Sequence, residues 1–276
     1  MTLRERHWRL VDSGFQTAAR NMAIDEAIMR AHGRGEVPPT LRFYGWEPAA
    51  VSIGYFQSMA REIDLDAVRR GGYGYVRRPT GGRMIFHHRE LTYSVVIRQE
   101  LLPGGVLETY RELSQGLLAG LRLLGGSPAL ASGEVDPRRR DPGGFHAACF
   151  DSASAYELTL NGKKAVGSAQ TRGEGAILQH GSIPLDTDVE LLFSLMNVPD
   201  GVRERLIQRY RTKATSLKEA LGRPVGYEEA RDAMIRGFQE AFGLTLVAAP
   251  LTPGEEAEAA LLEREKYGSD LWNLRK

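Results

Sequence analysis

A lone cysteine and a pair of adjacent lysines are the side chains of this sequence best placed to do chemistry. Cys149 is the only cysteine in 276 residues, so no intrachain disulfide exists. Two readings are open for it. A free cysteine is often a small buried hydrophobe. Alternatively it is a nucleophile, and then it needs a cationic or hydrogen-bonding neighbour, because a free thiol has a pKa of about 8.5. Ala147 and Ala148 leave room beside it, and it ends an irregular stretch just before a predicted strand. That context suits an exposed nucleophile. Lys163 and Lys164 follow Asn161-Gly162 on the next predicted strand. Successive strand side chains face opposite ways, so one of the two is drawn inward if one face is covered. A buried ammonium is costly without a partner or a task. Two solvated lysines beside a turn are the other reading. Gly167 and Ser168 are small, as required where a ligand or another backbone comes close.

A third candidate is Arg77-Arg78-Pro79-Thr80-Gly81-Gly82-Arg83. Gly81 and Gly82 allow backbone amides to point at a carbonyl or phosphate oxygen, and the arginines could steady an anion. A tight turn with surface charges is the alternative. It is not a Walker loop, and no Gly-x-Gly-x-x-Gly opens a helix, so the familiar nucleotide-binding patterns are missing. His87, His88 and His180 are candidate acid/base groups, but no His-Glu-x-x-His or Cys-x-x-Cys spacing points to a metal, and none is expected. The net charge is +1, so bulk charge gives no reason to expect nucleic acid or an anionic membrane. The short basic run at residues 138–140 reads as a solvated loop or as a dock for an acidic protein.

These groups must be positioned by a core, and the 42% hydrophobic and 26% charged composition suffices for one without disulfides or metals. The length fits one large domain, or one with a small appendage. Apolar/polar alternation and turn residues predict strands at 9–11, 41–44, 51–54, 75–78, 83–87, 91–95, 156–160, 163–170 and 176–180. Asn161-Gly162 predicts a two-residue hairpin turn. Apolar positions at steps of three and four predict helices over 21–32 and 106–124, with a short one at 65–70. Residues 125–145 read as an irregular, mobile loop. After residue 185 the pattern is mostly helical, at 189–196, 202–210 and 227–242, with a capped helix from Thr252 to about Tyr267. The expectation is an α+β chain with a mixed α/β sheet: a catalytic domain at 1–215 and a helical C-terminal extension at 216–276 that either stands apart or belongs to the same domain. The first residues lack a signal-peptide pattern and no apolar run is long enough to span a membrane, so a cytoplasmic location is expected.

Taken together, these segments resemble the lipoate–protein ligase and octanoyltransferase family. Arg77 to Arg83 as quoted, then His87, then Glu90-Leu91-Thr92-Tyr93-Ser94, is similar to its lipoyl-pocket motif. Gly162-Lys163-Lys164-Ala165-Val166-Gly167-Ser168-Ala169-Gln170 is similar to its lysine-bearing strand, with Lys164 at the functional position. Arg42-Phe43-Tyr44-Gly45-Trp46 and Ser52-Ile53-Gly54-Tyr55 are similar to its early strands. Ala148-Cys149-Phe150-Asp151, with Ser154-Ala155-Tyr156-Glu157, resembles the cysteine-bearing octanoyltransferase branch. One departure is His88, where members commonly carry Asp.

The resemblance implies a biotin/lipoate ligase-like catalytic fold and a two-step acyl transfer. Octanoyl moves from acyl carrier protein to Cys149, then to a lysine of the glycine-cleavage H protein or another lipoyl domain. Cys149 and Lys164 would be catalytic. Arg78, Gly81, Gly82, His87, Gly167 and Ser168 would bind substrate. No cofactor is implied, since a thioester is already activated, and a monomer is expected. Three alternatives stay open: an ATP-dependent lipoate ligase, an amidotransferase between lipoyl domains, and a non-catalytic acyl-binding partner.

Overall fold

The computed structural model describes residues 5–131 and 157–275. Cys149 and the basic run at 138–140 therefore lie outside the described residues. In chain order the elements are β1 (His7–Gln16), α1 (Ala18–Gly33), β2 (Thr40–Trp46), β3 (Ala50–Ile53), α2 (Met59–Glu62), α3 (Leu65–Arg70), β4 (Gly74–Arg77), β5 (Ile85–His87), β6 (Glu90–Arg98) and α4 (Val106–Leu123). Then come β7 (Pro128–Ala131), β8 (Glu157–Leu160), β9 (Lys163–Gly173), β10 (Ala176–Pro184), α5 (Val189–Ser194), α6 (Asp200–Lys213), α7 (Leu217–Leu221), α8 (Tyr227–Phe242), β11 (Thr245–Ala248), α9 (Pro253–Leu262), a π-helical turn (Glu263–Tyr267) and α10 (Asp270–Asn273).

Eight strands form one mixed sheet in the order β11-β1-β2-β6-β10-β9-β8-β7. β1 pairs parallel with both β2 and β11, whereas β2–β6, β6–β10 and β10–β9 are antiparallel. A second sheet has the order β4-β3-β5. β6 is buried at every position but the last, and β10 along its whole length. Both are covered on both faces, and their polar residues, Glu90, Thr92 and Ser94 in β6 and Gln179, His180 and Ser182 in β10, are buried.

Helices α4 and α8 cover one face of the large sheet. Leu113, Leu117 and Leu121 of α4 meet Ala233, Met234 and Phe238 of α8 over Phe43, Tyr93 and Val95. Helices α1 and α9 cover the other face, where Met22, Ala27 and Ile28 pack with Tyr44, Trp46, Val96, Leu178 and Ala259. A third core joins the small sheet to α5 and α6 through Val51, Ile53, Met84, Phe193 and Tyr210.

Two hairpins frame the lysine strand. Asn161 and Gly162 have φ values of 52° and 76°, so the β8–β9 turn takes the primed form that the sequence predicts. Glu174 and Gly175 repeat it between β9 and β10, at 51° and 73°. Two expectations need correction. Residues 128–131 lie within the stretch read as an irregular loop, yet they form β7, paired with β8 along the sheet edge. An edge strand tolerates Pro128 at its first position because no neighbour needs its missing N–H. The region past 185 is not helical throughout, since β11 extends the large sheet beside β1. The last long helix reaches Tyr267 as expected, α-helical to Leu262 and π-helical over its final turn. Helix α8 lies beyond residue 215, yet it supplies part of the core under β6.

Candidate functional site

An apolar slot of about 330 Å³ opens between the two sheets. The large sheet supplies Tyr44, Trp46, Thr92, Gly167, Ser168, Ala169, His180, Gly181 and Ser182; the small sheet and its loop supply Arg78, Ile85 and His87; α1 supplies Met22. Four of the residues expected to bind substrate, Arg78, His87, Gly167 and Ser168, thus meet in one place.

Gly81 and Gly82, in the loop after Arg78, do not line the slot themselves, although a Cβ on Gly82 would stand 3.9 Å from that of Ala169, which does. This loop is tightly seated. A Cβ on Gly54 would stand 2.0 Å from the Gly82 carbonyl oxygen, so only glycine fits opposite it. The Tyr55 amide donates to the Thr80 carbonyl at 2.9 Å. Arg78 Nη2 donates to the carbonyls of Gly81 (3.1 Å) and Arg83 (2.9 Å), which holds the loop closed from beneath. Arg77, fully buried, spends its guanidinium on backbone carbonyls: Gln57 on one side, Asn273 and Arg275 on the other. Its work is to tie the C-terminal residues to the loop after β3, rather than to meet an anion.

His87 lies in the slot wall with both ring nitrogens engaged. Arg78 Nη1 donates to Ser52 Oγ at 2.7 Å, and Ser52 Oγ is 2.6 Å from His87 Nε2. On the far side His87 Nδ1 is 2.7 Å from Glu90 Oε1. Arginine can only donate, so the Ser52 proton is available to Nε2, and Nδ1–H then points at the carboxylate. The ring stacks on Trp46 with centroids 3.8 Å apart and planes 11° from parallel. His87 therefore offers the slot a ring face. Glu90 also accepts from the hydroxyls of Thr92 and Ser182. Burial opposes its ionisation, yet His87, helped by Ser182 and Thr92, holds its carboxyl below the usual range.

A second buried cluster supports the floor. Asp25, on α1, accepts from Arg42 Nη1 (2.6 Å), Ser94 Oγ (2.8 Å), Tyr44 OH (2.9 Å) and His180 Nδ1 (3.1 Å). Burial alone would raise its pKa; Arg42, and then His180 and Ser94, bring it below its ordinary value. His180 is lowered by its own burial, against the pull of Asp25. Its Nε2 meets Thr80 Oγ1 at 2.7 Å, linking the cluster to the glycine loop. None of Asp25, Ser52, Thr80, Glu90 or Ser182 was singled out from the sequence as an individual site residue. The available signal was an acid inside the apolar stripe of α1, and another at the head of a strand that alternates apolar and polar residues.

Lys164 sits where β9 begins. Its side chain is 6% exposed and its Nζ donates to Glu157 Oε1 at 2.8 Å, whereas Lys163 is 32% exposed and pairs with Glu219 at the surface. One lysine of the pair is thus drawn inward. Lys164 is not among the residues that line the slot; Gly167, three residues further along the same strand and about 10 Å away at the rise of an extended chain, is the first that does. Gly181, opposite, has no room for a Cβ, which would stand 2.5 Å from Ser168 Oγ. His88 packs near Phe86, with burial and then Arg89 lowering its pKa. Among the described residues no group of three or more His, Cys, Asp or Glu is placed to hold a metal ion, and no helix is long and apolar enough to cross a membrane.

The buried carboxylates make acid stability a test of this geometry. Glu90 and Asp25 both titrate below their ordinary values of 4.5 and 3.8. Lowered folded-state values mean that their stabilisation is complete above those figures and is lost as pH falls through the folded-state values. The thermal midpoint is expected to drop below about pH 4.5, and Glu90→Gln should flatten that limb while lowering the neutral-pH midpoint. An unchanged acid limb in Glu90→Gln, read by calorimetry, would contradict the assignment.

This fold is shared with solved lipoate–protein ligases. The structure matches a chain of the archaeal lipoylation system of Thermoplasma acidophilum, described as a bi-partite lipoate protein ligase and its E2 lipoyl domain. The TM-score is 0.82 at 27% identity, over 99% of both chains. The profile of the lipoyl protein ligase A/B catalytic domain matches residues 17–239, and the chain belongs to that family. Among its relatives, octanoyltransferase LipM of Symbiobacterium thermophilum is 68% identical over 273 residues, covering 99% of this chain and all of the relative. Octanoyltransferase LipM of Kyrpidia tusciae is 51% identical over 272 residues, covering 98% and 99%.

Proposed function

We propose that this acyltransferase moves an octanoyl group from a carrier-protein thioester to Cys149, and from Cys149 to a lysine of a lipoyl domain. The observation that carries the reading is full-length similarity to enzymes named octanoyltransferase, at up to 68% identity. The apolar slot, and an inward lysine at the start of a strand that lines it, support it. In the first step the Cys149 thiolate attacks the thioester carbonyl, a new C–S bond forms, and the carrier thiolate leaves and takes up a proton. In the second step the neutral ε-amine of the acceptor attacks the Cys149 thioester, the amide C–N bond forms, and the thiolate leaves. The amine proton passes to solvent. Lys164 steadies the charge that develops on the carbonyl oxygen, and the amides of Gly81 and Gly82 stand beside the slot to assist. Acyl carrier protein is the proposed donor and the glycine-cleavage H protein the proposed acceptor.

Intact-mass measurement tests this. After incubation with an octanoyl carrier thioester, the chain should carry one octanoyl group, which an added lipoyl-domain protein then removes. A chain that never gains mass, with an acceptor left unmodified, would overturn the proposal. The lipoate–protein ligase likeness of the fold favours a second reading, an ATP-dependent ligase. Its outcome in the same assay would be acceptor modification only with ATP and free lipoate.

A further inference from the structure

The slot is not the only cavity beside β5. A second one, of about 420 Å³, lies next to it, and Ile85 and Ser182 line both. Met84, Phe86, Leu192 and Pro184 give the second cavity apolar surface, and His88, Glu90, Thr187 and Asp188 add polar groups to its lining. The two shared residues differ in how freely they can change. Ser182 donates to Glu90, so altering it removes one of the hydrogen bonds that satisfy a buried carboxylate. Ile85 holds its backbone in the β3–β5 ladder opposite Ser52 and contributes only an aliphatic side chain. That side chain is 8% exposed and forms the movable part of the partition.

We propose that Ile85 is a specificity-determining residue that ends the acyl site, and that the cavity behind it takes the distal carbons of longer chains once Ile85 is trimmed. The inference rests on the acyl-transfer reading above. Burying one methylene favours a chain by about fourfold. With Ile85 in place, carbons beyond the partition gain none of this. With the partition opened, each added methylene enters apolar space and preference shifts toward longer chains.

The test is a one-pot competition between octanoyl and decanoyl carrier thioesters, read as the ratio of the two products on the acceptor. This ratio does not depend on how much of a variant is folded. Ile85→Ala should raise the decanoyl-to-octanoyl ratio by about tenfold, with two methylenes setting a ceiling of about sixteenfold. Ile85→Val should raise it by about twofold to fourfold, which keeps the test readable if the alanine variant does not fold. Ile85→Phe, competed between hexanoyl and octanoyl donors, should favour the shorter chain. A wild-type ratio in both Ile85→Ala and Ile85→Val overturns the assignment. Failure of the wild-type chain to transfer either acyl group would instead sink the acyl-transfer reading itself.

Discussion

Replacing Cys149 with alanine should abolish the octanoylated form of the chain and lower transfer to the acceptor lysine by about 10⁴-fold or more. The size of the effect follows from how the reaction is divided. With the thiol, each protein partner has to be engaged only once, and a difficult exchange becomes two easier ones. Without it, the acceptor amine would have to attack the carrier thioester directly, with both proteins held at the slot together. Cys149→Ser is a useful companion. A hydroxyl is a far weaker nucleophile than a thiolate, so octanoylation should be very slow, and any oxygen ester formed should turn over poorly. Intact mass reads the first step and acceptor mass the second. An octanoyl adduct that persists in Cys149→Ala would place the group on another residue, and transfer at the wild-type rate would remove the covalent step.

Much of the frame that surrounds this chemistry was legible in the sequence because it is local. The Asn161-Gly162 turn has a backbone requirement that few residue pairs meet. The stripe of α4 declares its buried face through Leu113, Leu117 and Leu121. The inward turn of one lysine follows from strand alternation, although a register shift between Leu158 and Thr159 makes simple counting an unsafe guide to which one. What escaped was set by distant partners. β11 is a four-residue strand whose ladder is made with His7 to Leu10, more than 230 residues earlier, and no local pattern announces such a pairing. Pro128 and two alanines give β7 little strand character of their own; the β8 edge makes it a strand. The polar scaffold of the slot is equally non-local, with Asp25 meeting His180 and Ser52 meeting His87 across the fold. Sequence could rank Arg78 and His87 as site residues, but only the folded partners reveal that the guanidinium holds the glycine loop and that the imidazole offers a ring face.

Lys164→Met should slow octanoyl transfer by about 10²–10³-fold, the usual cost of losing one preorganised charge at a developing oxyanion. Lys163→Met is the internal control. Its partner Glu219 is exposed, and a surface ion pair contributes about 0–1 kcal/mol, so its rate should stay within about twofold of wild type. Burial decides between two lysines adjacent in sequence: one ammonium is shielded from solvent beside Glu157, while the other is screened by water. A lower rate alone would not separate chemistry from structure, because unpairing Glu157 also disturbs the strand. The discriminating measurement is the pH dependence of Cys149 alkylation. A neighbouring ammonium favours the thiolate, so its removal should move the alkylation midpoint upward, toward the value of about 8.5 for a free thiol. Lys164→Arg retains the charge and should keep a low midpoint, yet transfer should recover only in part, since a planar guanidinium does not place its donors where a compact ammonium does. If the midpoint is the same in wild type, Lys164→Met and Lys164→Arg, the lysine acts through the strand alone and has no electrostatic part in the reaction.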